Sequence, residues 1–359
     1  MSRLSLNQAQ RRGLAGSAIL TLVVLALVGA YYLWGESYQA RILYATFVNL
    51  LVVIGLQVFM GNANITSFSH AAFMGIAAYV AAICVTPVAM KAISLPDAPW
   101  GLNAFELSAI VSALIALAIT GVLGLLTGLF MARLTGVGVT IVSIAILVIV
   151  HSIFLHRTDI FKGNQAFFGI PKIFDLPHIT VLVVLAIFVA RFFRESSAGL
   201  KLRASADDEV GARAMGVDVY RVRLIAWVFS TLFFATAGIA YAFYLGTISA
   251  RPFYFNFVFL TVAMLILGGL RSVTGAVLGT LMISIGLETV RWLETGPVIA
   301  GLKLPQMLGL SGLLLGVVIV AVMAFLPHGI MGNREIEEAF IRKRSKEKSH
   351  GLQSYDSQA

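Results

Sequence analysis

The sequence predicts an all-α polytopic membrane protein of about ten transmembrane helices, and three observations lead there. Hydrophobic residues make up 59% of the 359 and charged residues only 12%, whereas an ordinary soluble domain carries about 25% charged residues. The apolar residues gather in runs of roughly 17–25, the length a helix needs to cross about 30 Å of hydrocarbon while satisfying its own backbone. The Lys and Arg residues collect on alternate sides of those runs.

Taken in order, the expected spans are 14–34, 41–60, 66–86, 106–131, 137–155, 179–194, 222–246, 254–270, 274–292 and 305–326. Residues 1–13 read as a short polar tail. The first span follows Arg11 and Arg12 but exceeds the roughly 7–15 apolar residues of a secretory signal, so it is expected to be retained. Cys84 is the single cysteine and lies inside an apolar run, so no internal disulfide and no thiol chemistry are expected. The connections 87–105 and 156–178 hold Pro87, Pro96, Pro99, Pro171 and Pro177, which interrupt helices and favour extended neighbours. They read as ordered loops on the outer face, either docking an external partner or simply joining spans.

Gly61 to Tyr79, GNANITSFSHAAFMGIAAY, is unusually polar for a bilayer segment, with Asn62, Asn64, Thr66, Ser67, Ser69 and His70 set among small residues. Non-helical backbone at membrane depth needs protein or a water-filled cavity to satisfy it, and small and hydroxyl residues also serve close helix contacts. Two readings stand: a broken or re-entrant segment whose Asn62, Asn64, Ser67, Ser69 and His70 line a passage, or a polar helix contact. His70 by itself reads as a structural histidine before a proton relay. A second glycine-rich turn, Gly268 to Gly275, joins two later spans. Phe47-Val48-Asn49-Leu50 and Phe257-Val258-Phe259-Leu260 precede the two segments, a hint of the duplication common in transporters that chance in apolar sequence also explains. Glu288 is the main intramembrane acid, and Arg291 one turn on suggests an ion pair rather than an ion site.

The formal charge of +9 reads as topology rather than nucleic-acid binding. With ten spans and the N-terminus inside, the Lys and Arg divide roughly 18 inside to 8 outside, which places both termini and the loop 191–223 in the cytoplasm. The basic tail after Asn333 either fixes topology or holds anionic lipid. The domain reading is thus a cytoplasmic tail at 1–13, a transmembrane domain at 14–332 with a cytoplasmic loop at 195–221, and a basic cytoplasmic tail at 333–359.

Catalytic signatures are missing. The sequence holds no G-x-x-x-x-G-K-[ST], no H-E-x-x-H and no G-x-S-x-G, and His151 and His156 are misplaced for a shared zinc. The chain is therefore expected to be no enzyme and to hold no cofactor or metal, and any ATP and Mg would bind on partner subunits. Scarce intramembrane acid argues against ion coupling, so uphill transport would draw its energy from another polypeptide.

The loop 191–223 is the place for that partner. Ser205 suits an N-cap, Asp207, Asp208 and Glu209 suit the positive end of a helix dipole, and Gly216 suits a left-handed end. A helix over 206–215 is expected, with Ala206, Val210, Arg213 and Ala214 on one side. It either docks into a groove of a soluble protein or lies on the membrane surface. The flanking arginines are expected mainly to hold topology.

GLKLRASADDEVGARAMGVDVYRVRLIAWVFSTLFFATAGIAYAFY resembles the loop-plus-span signature of permease subunits of branched-chain amino acid ABC transporters, especially the longer of the two permease types. The resemblance extends to SFSHAAFMGIAAY at 67–79, GGLRSVTGAVLG at 268–279 and PHGIMG at 327–332, and covers about residues 40–332. It implies the importer permease fold shared with vitamin and sugar permeases, and it places Glu209, Ala212 and Gly216 in the loop that contacts the ATPase subunit. With Asp208 and Arg213, these are the coupling candidates. The implied partners are ABC ATPase subunits, a second homologous permease and an external solute-binding protein, with the bilayer as surroundings and no nucleic acid. Ser69 stands where the family usually has glycine. Arg271 and Thr274-Gly275-Ala276 replace its small-or-Met and Trp-Gly-Pro pattern, and the outer FKGNQAFFGIPKIF matches only in part. Those departures leave the solute open among branched-chain amino acids, urea, short amides and aromatic acids. An inner-membrane importer working by alternating access is the expectation, with an ion-coupled carrier or a membrane scaffold as rivals.

Overall fold

The computed structural model describes residues 3–336 apart from 97, 297, 300–301, 304–305, 307–308, 326–328 and 333. Its helices are α1 (Arg3–Trp34), α2 (Ser37–Leu56), α3 (His70–Val85), α4 (Val88–Ser94), α5 (Ala109–Met131), α6 (Val137–His156) and α7 (Thr158–Phe161) in the first half. The second half adds α8 (Leu176–Glu195), α9 (Ser197–Asp207), α10 (Glu209–Ala214), α11 (Val219–Leu245), α12 (Phe255–Gly268), α13 (Val273–Glu294) and α14 (Leu310–Phe325). Among the described residues seven helices are long and apolar enough to cross a membrane. The shorter apolar helices α3 and α12 and the helix α14 complete an all-α polytopic bundle whose spans fall close to the expected ones.

The centre of the bundle is α2, buried nearly without interruption from Phe47 to Leu56, as a helix apolar on every side should be. Around it α3 and α11 lie so close that a Cβ added to Gly238 would stand 2.1 Å from the Met74 carbonyl oxygen. On α5 the buried positions Ser112, Ala116, Thr120, Gly124 and Gly128 recur every four residues. That small-residue stripe is met by Thr231, Leu224 and Trp227 of α11. Small residues let helices approach where lipid offers no hydrophobic push. The other faces of α5 and α6 carry exposed Ile110, Leu114, Phe130, Ile141 and Ile149, the surface a bilayer would cover. Cys84 is a free, buried thiol.

Several expectations change. The presumed polar tail 1–13 is helical from Arg3 and continuous with the first span. The proline-bearing connections are more structured than loops: Pro87 precedes α4, and Lys91 of that helix is buried with Nζ donating to the carbonyls of Leu102 (3.1 Å) and Phe105 (2.6 Å). Two short strands, β1 (Phe167–Phe168) and β2 (Thr247–Ile248), pair antiparallel and tie the second connection to the end of α11. A further pair, β3 (Val298–Ile299) and β4 (Leu302–Lys303), forms a small hairpin after α13. Glu288 lies 3.6 Å from Arg291 as expected and also accepts a hydrogen bond from Tyr38. Of the basic tail, residues 337–359 lie outside the described residues.

Candidate functional site

The segment 195–221 folds into two helices where one was expected. The strong helix formers Leu200, Lys201, Leu202, Arg203 and Ala204 carry α9 straight past Ser205. Ser205 is consequently buried in the last turn, donating to the Leu202 carbonyl at 2.7 Å, and is no N-cap. The true caps are Ser196, whose hydroxyl accepts from the Gly199 amide at 3.2 Å, and Asp208, whose carboxylate accepts from the Gly211 amide at 3.0 Å. Asp208 is extended (φ −148, ψ 104), so the chain turns there between α9 and α10. The expected stripe of Ala206, Val210, Arg213 and Ala214 is thereby split, with Ala206 left on α9.

The far end of α10 is as expected. Gly216 is left-handed (φ +79), and the amides of Gly216 and Val217 return to the carbonyls of Arg213 and Ala212, each at 3.0 Å. This is a Schellman ending, which glycine adopts without a Cβ penalty. Ala212 turns inward and is buried, while Val210 and Met215 stand 80% and 86% exposed beside exposed Arg213 and Ala214. Met215 is an outward apolar residue the sequence pattern missed. Glu209 holds α10 to the bundle: its carboxylate bonds Arg213 on its own helix (2.7 Å) and Arg223 on α11 (2.7 Å). The hydrogen bond from the Arg213 guanidinium, with Arg223 beside it, outweighs the upward push of burial and keeps this carboxyl below the usual glutamate range.

A second glutamate does the same work in the interior. Glu335, at the start of the segment read as the basic tail, is buried against the N-terminus of α13. It accepts from the amides of Val273 (2.9 Å) and Thr274 (3.1 Å) and the hydroxyls of Ser272 (3.1 Å) and Thr274 (2.6 Å). It also pairs with Arg191 (2.8 Å) and Arg194 (3.2 Å) of α8. Burial pushes the Glu335 carboxyl up, but the two arginines, the Thr274 hydroxyl and the helix amides outweigh it, and the net shift is downward. Arg191 and Arg194 are thus buried ion-pair partners. Glu335 is the first of three acids, with Glu337 and Glu338, ahead of the basic run that begins at Arg342, and nothing in that pattern marked it as the buried one.

The same C-terminal segment closes the turn between α12 and α13. The Ile330 and Met331 amides donate to the Leu267 (2.9 Å) and Gly268 (3.0 Å) carbonyls at the end of α12. One short stretch therefore satisfies the orphan carbonyls of one helix and the orphan amides of the next.

The segment 57–70 is broken, not continuous. A five-residue π-helical turn, 57–61, follows α2, helix runs on through Asn62 and Ala63, and after a break over 64–69 it resumes at His70. Asn62 compensates the turn, its Nδ2 donating to the carbonyls of Gln57 (3.2 Å) and Val58 (3.0 Å). Asn64 takes the left-handed conformation (φ +54) that asparagine tolerates. The open backbone beyond is satisfied from α6: Ser143 accepts from the Phe68 amide (3.0 Å) and Thr140 donates to the Thr66 carbonyl (3.1 Å). That is how a bilayer-depth break is tolerated. Of the five passage candidates, Asn62, Ser67, Ser69 and His70 are buried and only Asn64 is exposed. Ser67 and Ser69 hydroxyls stand 3.3 Å apart, and His70 Nε2 lies 2.7 Å from the Thr261 hydroxyl of α12. Ser67 borders a void of about 10 Å³ shared with Trp227 and Phe234, so these residues face packed protein rather than an open channel. The fully buried Gln57 opens the π-helical turn and was not singled out by the sequence.

The break and the glycine turn meet. A Cβ on Gly61 would stand 2.1 Å from the Leu270 carbonyl oxygen, so the two backbones touch. Arg271, next in the turn, pairs with Asp207 of α9 at 2.6 Å. Among the described residues no group of His, Cys, Asp and Glu side chains could hold a metal ion.

A family model described as "branched-chain amino acid transport system / permease component" matches residues 38–323. The high-affinity branched-chain amino acid transport system permease protein LivM of Escherichia coli (strain K12) is 23% identical over 347 residues, covering 87% of this chain and 74% of that protein. The LivM protein of Salmonella typhimurium is 23% identical over 350 residues with the same coverage. The probable branched-chain amino acid transport permease protein LivH of Methanocaldococcus jannaschii is 26% identical over 158 residues, 42% of this chain and 46% of that one. No solved structure matches the chain.

Proposed function

The chain belongs to the family of branched-chain amino acid transport system permease components, and from that premise we propose that it is one permease subunit of a binding-protein-dependent ABC importer in an inner membrane. It moves branched-chain amino acids or a related small polar solute by alternating access, with both termini and the α9–α10 loop in the cytoplasm. ATP and Mg bind on separate ATPase subunits. An external solute-binding protein delivers the solute, and a second, homologous permease supplies the second coupling loop that a pair of ATPases requires.

The observation that carries this reading is α10. It is a capped six-residue helix whose Val210, with Met215 at its C-cap, stands uncovered by the rest of the chain. A short helix with an apolar tip and a charged rim fits a groove on a soluble partner. Asp208 shapes the helix start, Gly216 its end, and Glu209 with Arg213 and Arg223 transmits its movement to α11. Ala212 seats it on the permease. The passage past Ser67, Ser69 and His70 is closed in this conformation, as alternating access requires of one of its states.

Purified from its own membrane, the chain should bring down an ATPase, and vesicles holding the assembly should accumulate leucine, isoleucine or valine only with ATP and the binding protein. Glu209→Ala or Arg213→Ala should separate hydrolysis from uptake while the protein stays in the membrane. Normal transport by both variants would sink the docking role. Uptake that follows an ion gradient without ATP would overturn the importer reading, and accumulation of urea, amides or aromatic acids would correct the solute alone.

A further inference from the structure

Arg271 and Thr274 are two of the positions at which this chain departs from the pattern it resembles, and both make specific contacts. Thr274 donates to Glu335 at 2.6 Å. Arg271 reaches from the turn after α12 to Asp207, the last residue of α9 and the neighbour of the Asp208 cap, at 2.6 Å. The Arg271 side chain is 25% exposed and that of Asp207 63%, so the pair sits at the rim rather than in the core.

The turn that carries Arg271 is held on its other sides. Its backbone carbonyl accepts from Arg194 Nε at 3.3 Å. The amides of Ile330 and Met331 fix the end of α12, and Glu335 fixes the start of α13. Leu270, one residue earlier, presses its carbonyl oxygen on Gly61. A turn clamped by backbone bonds moves as a unit, and a displacement entering at Arg271 leaves at Leu270, against the break that leads to Ser67, Ser69 and His70.

We infer that Arg271 is a positioning residue of the transport cycle: its ion pair with Asp207 joins the α9–α10 loop to the 268–272 turn and carries loop movement to the broken segment at Gly61. This rests on the coupling role proposed for α10 and adds a second route to it. Glu209 and Arg223 lead from α10 into α11; Asp207 and Arg271 lead from α9 into the turn. Exposed ion pairs contribute little to folding, so the pair's loss should show in coupling and not in stability.

The test uses the complete assembly with its ATPase subunits in vesicles and reads solute taken up per ATP hydrolysed. Arg271→Ala and Asp207→Ala should each lower that ratio by roughly five- to tenfold, a usual coupling magnitude, with the ATPases still bound and the unfolding midpoint unchanged. The exchange Asp207→Arg with Arg271→Asp should restore most of it. A wild-type ratio in both single variants overturns the inference. Low ratios that the exchange does not restore also overturn it, because the residues then act separately. If the unaltered assembly shows no ATP-dependent uptake, the importer reading itself fails, and this inference falls with it.

Discussion

Two glutamates each grip two arginines in this protein, and burial separates their roles. Glu209 holds Arg213 and Arg223 with its side chain 28% exposed. Glu335 holds Arg191 and Arg194 with its side chain 1% exposed, and it adds helix amides and hydroxyls. The Glu209–Arg213 arm, with Arg213 62% exposed, gains about 0–1 kcal/mol because water screens it, whereas Arg223 is 7% exposed and roots the cluster in α11. Breaking a buried pair strands a desolvated charge at about 3–5 kcal/mol, so the second is an anchor. The first cluster lies at the protein surface, and the second is enclosed by α8 and the start of α13.

The largest expected effect comes from removing the anchor. Glu335→Ala should destabilise the protein by about 3–5 kcal/mol, seen as a large fall in the unfolding midpoint of the purified protein in detergent. Glu335 also has a pH signature. Its folded-state carboxyl lies below the ordinary value of 4.5, so its contribution is fully present above that value and is lost as pH falls through the lower folded one. Glu335→Gln should flatten the acid limb of the stability profile. An unchanged acid limb would show that the arginines find other partners.

An intermediate effect is expected where the two breaks touch. Gly61→Ala drives a methyl into the Leu270 carbonyl, and overpacking of this kind costs about 1–3 kcal/mol. Denaturation in detergent should show that loss, and uptake should fall further than stability alone explains if the contact transmits movement.

The smallest effect belongs to the exposed loop. Asp208→Ala removes the α10 cap, worth about 1 kcal/mol, and that should raise the frayed population about fivefold. Limited trypsin cleavage after Arg213 should accelerate by a similar factor while the global unfolding midpoint holds. Asp208→Asn, which keeps a capping oxygen, should cleave at the original rate.

Much of the bundle was legible because the bilayer's demand is local. The ends of α5, α6, α8, α11, α12 and α13 fall within a few residues of the apolar runs, and the left-handed end at Gly216 followed from glycine alone. The start of the loop helix misled because Ser205 and Asp208 are both good caps. Only the packing of α9 against the bundle, with Leu202 and Ser205 buried, shows which one ends up inside a helix. The polar run after Gly61 announced itself without saying whether it broke. That was settled by Ser143 and Thr140, on a helix more than seventy residues away.

Composition and run length by themselves determined a helical, polytopic membrane protein with one charged interior loop. Each of those properties depends on neighbours within a turn or a span. The tertiary structure alone decided that Glu335 is buried and Glu209 is not, that Ala212 points in while Met215 points out, and that Gly61 rests on Leu270. The contacts of Glu335 and Gly61 join residues about 60 to more than 200 positions apart, and the free energy of a charge or a close backbone contact is set by what surrounds it in space.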